Sequence, residues 1–143
     1  MRAGDILKAK GAKVETLPDT ARLGEAIERL AALNIGALLI VTADSAPCGI
    51  LSERDIVRIL AGAPTGHRDR PVREVMTGNL ITCKPDDTVD ELLDRMTDRR
   101  IRHLPVMDGT SLVGILSIGD VVKHRIREAT AEAEALKTYI TSG

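Results

Sequence analysis

The sequence predicts an α/β chain made of two β-α-β-β-α repeats and closed by a long helix. Three observations carry this reading. The segment Gly49-Ile50-Leu51-Ser52-Glu53-Arg54-Asp55-Ile56-Val57-Arg58 returns 65 residues later as Gly114-Ile115-Leu116-Ser117-Ile118-Gly119-Asp120-Val121-Val122-Lys123. Leu23, Ala26, Ile27 and Leu30 are answered by Val89, Leu92, Leu93 and Met96, and both sets have the i, i+3, i+4, i+7 spacing of a helix face. An apolar stripe at Val121, Val122, Ile126, Ala129, Ala133, Leu136 and Ile140 continues past the second repeat and suits an amphipathic helix of about 20 residues.

Each repeat reads in one order. A short helix opens it (3–9 and 71–77), with Asp5-Ile6-Leu7 resembling Glu74-Val75-Met76. A short strand follows (13–16 and 80–83), then a Pro-Asp turn in which Pro18 answers Pro85. An amphipathic helix comes next (22–33 and 88–98), then two strands (37–42 with 48–52, and 103–107 with 112–116). Ala43-Asp44-Ser45-Ala46 and Asp108-Gly109-Thr110-Ser111 are the hairpin loops. A helix closes each unit, over 53–61 and from 118 onward. The expected division is 1–62 for the first repeat, 63–71 for a Gly/Pro/charged linker, 72–127 for the second repeat and 128–143 for a C-terminal helical extension. A unit of about 60 residues is marginal alone. The two are therefore expected to pack strand face to strand face as a pseudo-two-fold module, with ligand clefts between the halves.

Composition narrows the function. The formal charge of −1 is not the basic excess of a nucleic-acid binder. With no Trp, no Phe and one Tyr, the chain has no aromatic platform for stacking bases. No apolar run is long enough to span a bilayer. The N-terminus shows no export signal, so a cytoplasmic protein is expected. Cys48 and Cys83 form no CxxC pair, and the expected reading is two small thiols in strands, with a disulfide or redox switch as the alternative. There is no Gly-rich phosphate loop, HExxH or Gly-x-Ser-x-Gly, and His67, His103 and His124 are scattered. No enzyme activity and no required metal are expected.

The repeated Gly-Ile-Leu-Ser-x-x-Asp, with Arg102-His103-Leu104-Pro105-Val106 and Pro85-Asp86-Asp87-Thr88-Val89, resembles the cystathionine-β-synthase (CBS) domain. A tandem pair of these is a Bateman module, and the resemblance covers about residues 3–127. It implies an adenosyl ligand: AMP, ADP, ATP or NAD(H), with S-adenosylmethionine ranked below them. Carried over, Asp55 and Asp120 accept from ribose hydroxyls, while Ser52 and Ser117 donate to ribose or phosphate at a helix N-terminus, which favours an anion. Backbone around Val14–Thr16 (Val14, Thr16) and Ile81–Cys83 (Ile81, Thr82, Cys83) meets the adenine edge. Arg54, Arg100, Arg102 and His103 are the candidates for phosphate. The resemblance further implies a homodimer and a separate effector protein.

Each of these residues also has a structural reading. Ser-x-x-Asp is close to a capping box, and capping and binding are compatible. The basic run from Arg99 to His103 suits the C-terminal end of a helix. The first repeat has Asn34-Ile35-Gly36-Ala37-Leu38 there, and Gly119 stands where the first repeat has Arg54, so the two sites are not equivalent. The rival function is an interaction or dimerisation module that binds no ligand.

Overall fold

A computed structural model describes residues Met1–Ser142. Its elements are α1 (Ala3–Lys10), β1 (Thr16–Pro18), α2 (Leu23–Leu33), β2 (Ala37–Val41), β3 (Pro47–Ser52), α3 (Glu53–Gly62), α4 (Val72–Val75), α5 (Val89–Arg99), β4 (His103–Asp108), β5 (Ser111–Ser117) and α6 (Ile118–Ser142). Gly143, the last residue of the expected extension, lies outside the described residues.

The chain forms two compact units, one of residues 14–80 and the other of residues 1–13 with 81–143. In each, the segment that opens one sequence repeat joins the strands of the other repeat. Ile6 and Leu7 of α1 are buried with Leu92, Leu104 and Leu116, and Val72 of α4 is buried with Leu23, Leu38 and Leu51.

In the 14–80 unit, β1 pairs parallel with β2, and β2 pairs antiparallel with β3. Leu39 N–H donates to Glu15 C=O and Asp19 N–H to Val41 C=O. The alternate residues Thr16 and Pro18 therefore turn their backbone polar groups to the open edge, where a proline sacrifices no ladder bond. Leu23, Ala26 and Leu30 form the buried face of α2, which ends at Asn34 in the left-handed region (φ 52°). Arg22 precedes α2 without a side-chain cap. The free N–H groups of Leu23 and Gly24 are instead taken by the carbonyls of Arg70 and Arg68, so residues 68–70 of the expected linker cap a helix.

The unit of residues 1–13 and 81–143 repeats this plan. The antiparallel pair β4–β5 carries a bulge between Val106 and Met107, matching the one between Ile40 and Val41. Thr88 caps α5, its Oγ accepting from Glu91 N–H at 3.2 Å, and Arg100 ends it at φ 54°. Val89 N–H donates to the Met1 carbonyl as Leu23 N–H does to that of Arg70, and Ala3 N–H donates to the Asp87 carbonyl as Val72 N–H does to that of Ala21.

One expected element is missing. Residues 80–83 form no strand; Cys83 alone makes a parallel bridge to Val106. Cys83 N–H donates to Pro105 C=O, and Met107 N–H donates to Cys83 C=O. Pro105 stands where Leu39 stands in β2. It has no N–H to give the Ile81 carbonyl, so the ladder stops. Cys83 is accordingly buried but outside any strand, and Cys48 is half-buried in β3; both are free thiols. The early strand of the first repeat also lies later than expected, at 16–18 rather than 13–16. Val121 leaves the expected stripe of α6 and enters the core. No helix is long and apolar enough to cross a membrane among the described residues.

Candidate functional site

The two Gly-Ile-Leu-Ser-x-x-Asp segments become two strand-to-helix junctions of the same build. At β3–α3, Ser52 N–H donates to Asp55 Oδ2 (2.9 Å) and Asp55 N–H donates to Ser52 Oγ (3.2 Å). At β5–α6, Ser117 N–H donates to Asp120 Oδ2 (2.8 Å) and Asp120 N–H donates to Ser117 Oγ (3.1 Å). Both are reciprocal capping boxes with Asp in the third helical position. Glu53 and Ile118 N–H are taken by the carbonyls of Gly36 and Arg102. The Arg54 and Gly119 N–H groups are left as first-turn donors without a partner among the described residues.

Capping does not exhaust these groups. An ionised carboxylate offers about four acceptor positions. The cap uses one of Asp55's, and Arg58 stands 3.8 Å from its Oδ1, beyond hydrogen-bond length. Both serine hydroxyls accept in the cap and keep their protons to donate.

The second junction has a feature that the motif does not announce. Lys10, at the end of α1, places Nζ 2.6 Å from Asp120 Oδ2 and 2.9 Å from the Ile115 carbonyl. Oδ2 thus takes two donors, and Oδ1 has no partner among the described residues. Burial raises the Asp120 pKa, but the Lys10 bond, the Ser117 N–H and the Lys10 charge outweigh it and hold the carboxyl below its ordinary value. Lys10 lies 110 residues from Asp120, so no spacing argument could have found it.

The other candidates fall into two groups. His103 is half-buried and pairs across the ladder with Ser117, while the Arg102 carbonyl receives Ile118 N–H; both flank the α6 N-terminus. Arg54 is exposed on the first turn of α3 and lines an open groove of ≈ 370 Å³ with Glu53, Val57 and Arg58. Arg100 is exposed at the end of α5. Arg54, Arg100 and Arg102 make no side-chain ion pair among the described residues. The backbone expected to meet adenine is partly committed. Glu15 C=O is bonded to Leu39, Thr82 C=O to Arg95 at 3.1 Å, and both backbone groups of Cys83 to β4. The edge-facing groups of Thr16 have no backbone partner among the described residues. Val14 and Ile81 are half-buried beside these segments. No cluster of three or more His, Cys, Asp or Glu able to hold a metal occurs among the described residues.

Comparison with known proteins places this arrangement. The CBS domain model matches residues 3–62 and again 72–127. The CBS-domain containing protein ATU1752 from Agrobacterium tumefaciens is 40% identical, with a TM-score of 0.84 over 87% of this chain and 92% of that chain. The mitochondrial CBS domain-containing protein CBSX3 of Arabidopsis thaliana is 34% identical over 97% of this chain and 71% of its own length. Some other curated relatives are much longer, and the chain spans 34% of one and 25% of another. Two similar structures hold adenosine compounds. PAE2072 from Pyrobaculum aerophilum, complexed with AMP, is 29% identical, with a TM-score of 0.74 over 84% of this chain and 89% of that chain. The CBS domain pair of MJ0100, with 5′-methylthioadenosine and S-adenosyl-L-methionine, is 28% identical, with a TM-score of 0.78 over 90% of this chain and 98% of that chain. Matched twice by the family model and alike in fold along most of its length, the chain belongs to the CBS domain family.

Proposed function

We propose that the chain is a non-catalytic regulatory module whose Ser-x-x-Asp junctions bind an adenosine-containing ligand, AMP-like or NADH. One observation carries this. Both junctions keep carboxylate acceptors, serine hydroxyl donors and a first-turn N–H after their caps are complete. A ribose presents adjacent hydroxyls to such acceptors, and a phosphate suits the helix N-terminus. The AMP held by PAE2072 and the adenosyl compounds held by MJ0100 support the ligand class.

Asp55 and Asp120 take the ribose in this reading, and Ser52 and Ser117 donate beside them. Arg54, Arg100, Arg102 and His103 face phosphate, and Lys10 adds a further cation at the second junction. Val14 and Thr16 border adenine in one unit, and Ile81, Thr82 and Cys83 border it in the other. The two junctions bind unequally, because Asp120 already carries Lys10 while Asp55 has only a distant Arg58. A ligand with different affinity for two arrangements of the module shifts their populations, and a separate effector protein reads the shift. The reading places the chain in the cytoplasm as a homodimer.

The test is thermal unfolding followed by circular dichroism, with and without AMP, ATP, NADH and S-adenosylmethionine. At about 100 times its dissociation constant, a ligand raises the midpoint by about 5–10 °C. Asp55→Ala and Asp120→Ala each lose part of their cap, so the quantity to compare is the ligand-induced increment. An increment abolished by one variant identifies its junction. No increment with any compound would sink the ligand reading and leave an interaction module.

A further inference from the structure

The long helix α6 has two separate apolar faces. Val121 and His124 are buried (0% and 6% exposed), and Glu128 is half-buried with Oε1 3.3 Å from the Met1 amine. That face seats the helix on its own unit. The second face is Val122, Ile126, Ala129, Ala133, Leu136 and Ile140, about a third of a turn away. Val122 is 40% exposed, Ile126 61%, Leu136 60% and Ile140 66%, and every residue from Ala129 to Thr141 is exposed.

The second face steps by 4, 3, 4, 3, 4. A repeat of 3.5 residues is the seam of a coiled coil, narrower than the stripe that seats a helix on a globular core. Ile126, Ala133 and Ile140 take the a positions; Val122, Ala129 and Leu136 take d. Ile126 and Ile140 at a with Leu136 at d are the residues that favour two strands in a parallel coil, and Ala129 and Ala133 let the two helices approach closely between them. The flanking charges agree. Lys123, Thr130 and Lys137 fall at e, and Arg125, Glu132 and Tyr139 at g. In a parallel pair, g of one helix faces the next e of the other, so Glu132 meets Lys137 of the second copy, twice per dimer. In an antiparallel pair g faces g and e faces e. Glu132 would then meet its own copy, and Lys123 would meet Lys137.

We infer that this seam, from Val122 to Ile140, joins two copies of the chain as a parallel, in-register helix pair. The inference rests on the homodimer reading above and adds its surface and direction.

Sedimentation equilibrium of the full chain tests it, with Leu136→Glu, Glu132→Lys, Lys137→Glu and the double reversal. These side chains are exposed, and circular dichroism confirms that each variant is folded. The expected result is a wild-type dimer, a monomeric Leu136→Glu, single reversals that each raise the dissociation constant about fivefold, and a double reversal restored to near wild type. A monomeric wild type overturns both the seam and the homodimer reading. A dimer indifferent to Leu136→Glu overturns the seam alone. Tighter association with Lys137→Glu by itself is the antiparallel signature and overturns the direction.

Discussion

The Lys10 ammonium lies 2.6 Å from Asp120 Oδ2, the same oxygen that Ser117 N–H holds at 2.8 Å. A residue of the first repeat's opening helix thereby engages the junction of the second repeat. The counterpart of Lys10 by repeat alignment is Asn79, which carries no charge. The pair therefore distinguishes the two junctions.

This geometry fixes a pH dependence. The folded pKa of Asp120 is lowered from the ordinary 3.8. Its stabilisation is therefore fully present above the unfolded value and lost as pH falls through the folded one. Lys10→Met should raise the Asp120 pKa, read by carboxyl NMR titration. It should also cost about 1 kcal/mol near neutral pH, since both side chains are partly exposed. The stability gap between the two proteins should close below about pH 4. An unchanged Asp120 midpoint in the variant would show that the cap alone holds the carboxyl down.

The glycine that opens each repeated segment is required by packing. A Cβ on Gly114 would stand 2.5 Å from Leu7 Cδ2, and one on Gly49 would stand 2.9 Å from Met76 Cγ and closer still to its sulfur. Leu7 is branched and buried, while Met has more rotatable bonds to yield with. Gly114→Ala should therefore destabilise by about 1–3 kcal/mol, and Gly49→Ala by less, in urea unfolding followed by circular dichroism. Gly114→Ala with Leu7→Val should be more stable than the sum of the single effects, because the two sites share one contact. Additive losses would remove the clash as the cause.

Pro105 gives a third expectation. Leu39, its counterpart in β2, donates to Glu15 C=O. Pro105→Leu restores an N–H at this point of β4. That amide should bond to the Ile81 carbonyl and be protected from hydrogen exchange, extending the bridge at Cys83 into a strand. Fast exchange at position 105 would mean that the 80–83 segment is set by something other than the missing donor.

These relationships mark where the sequence was legible. The repeat was readable as self-similarity at an offset of about 65 residues, and both capping boxes and the helices α2 and α5 because they depend on neighbours within about four residues. The exchange of α1 and α4 between units was not, because Leu7 against Gly114 and Lys10 against Asp120 are contacts of more than 100 residues in sequence. The missing strand at 80–83 was in principle readable. Its signal was Pro105, in a different element from the one it cancels. The two roles of α6 were merged into one stripe because Val121 and Val122 are adjacent and both apolar; only burial separates them.

Cys83 supplies the last expectation. It is 2% exposed, and its thiol is pushed up to about 12, first by burial and then by the nearby Asp87 carboxylate, which outweigh the opposing Arg95. The thiolate is the nucleophile, so a rise from 9.0 cuts its population about a thousandfold near neutral pH. Cys48 is half-buried, and burial and Asp19 raise its thiol pKa as well. Iodoacetamide at pH 8 should therefore modify Cys48 slowly and leave Cys83 untouched until the chain unfolds, as followed by peptide mass spectrometry. The same shift has a thermodynamic face. A thiol that holds its proton more tightly when folded contributes stability below its unfolded pKa, and that contribution is lost as pH rises from about 9 toward 12. Cys83→Ala has no proton to lose, so its stability should fall less steeply over that range. Equal slopes for the two proteins, or early labelling of Cys83, would mean that the segment bridging to Val106 opens readily, and with it the core that Cys83 shares with Leu92 and Leu104.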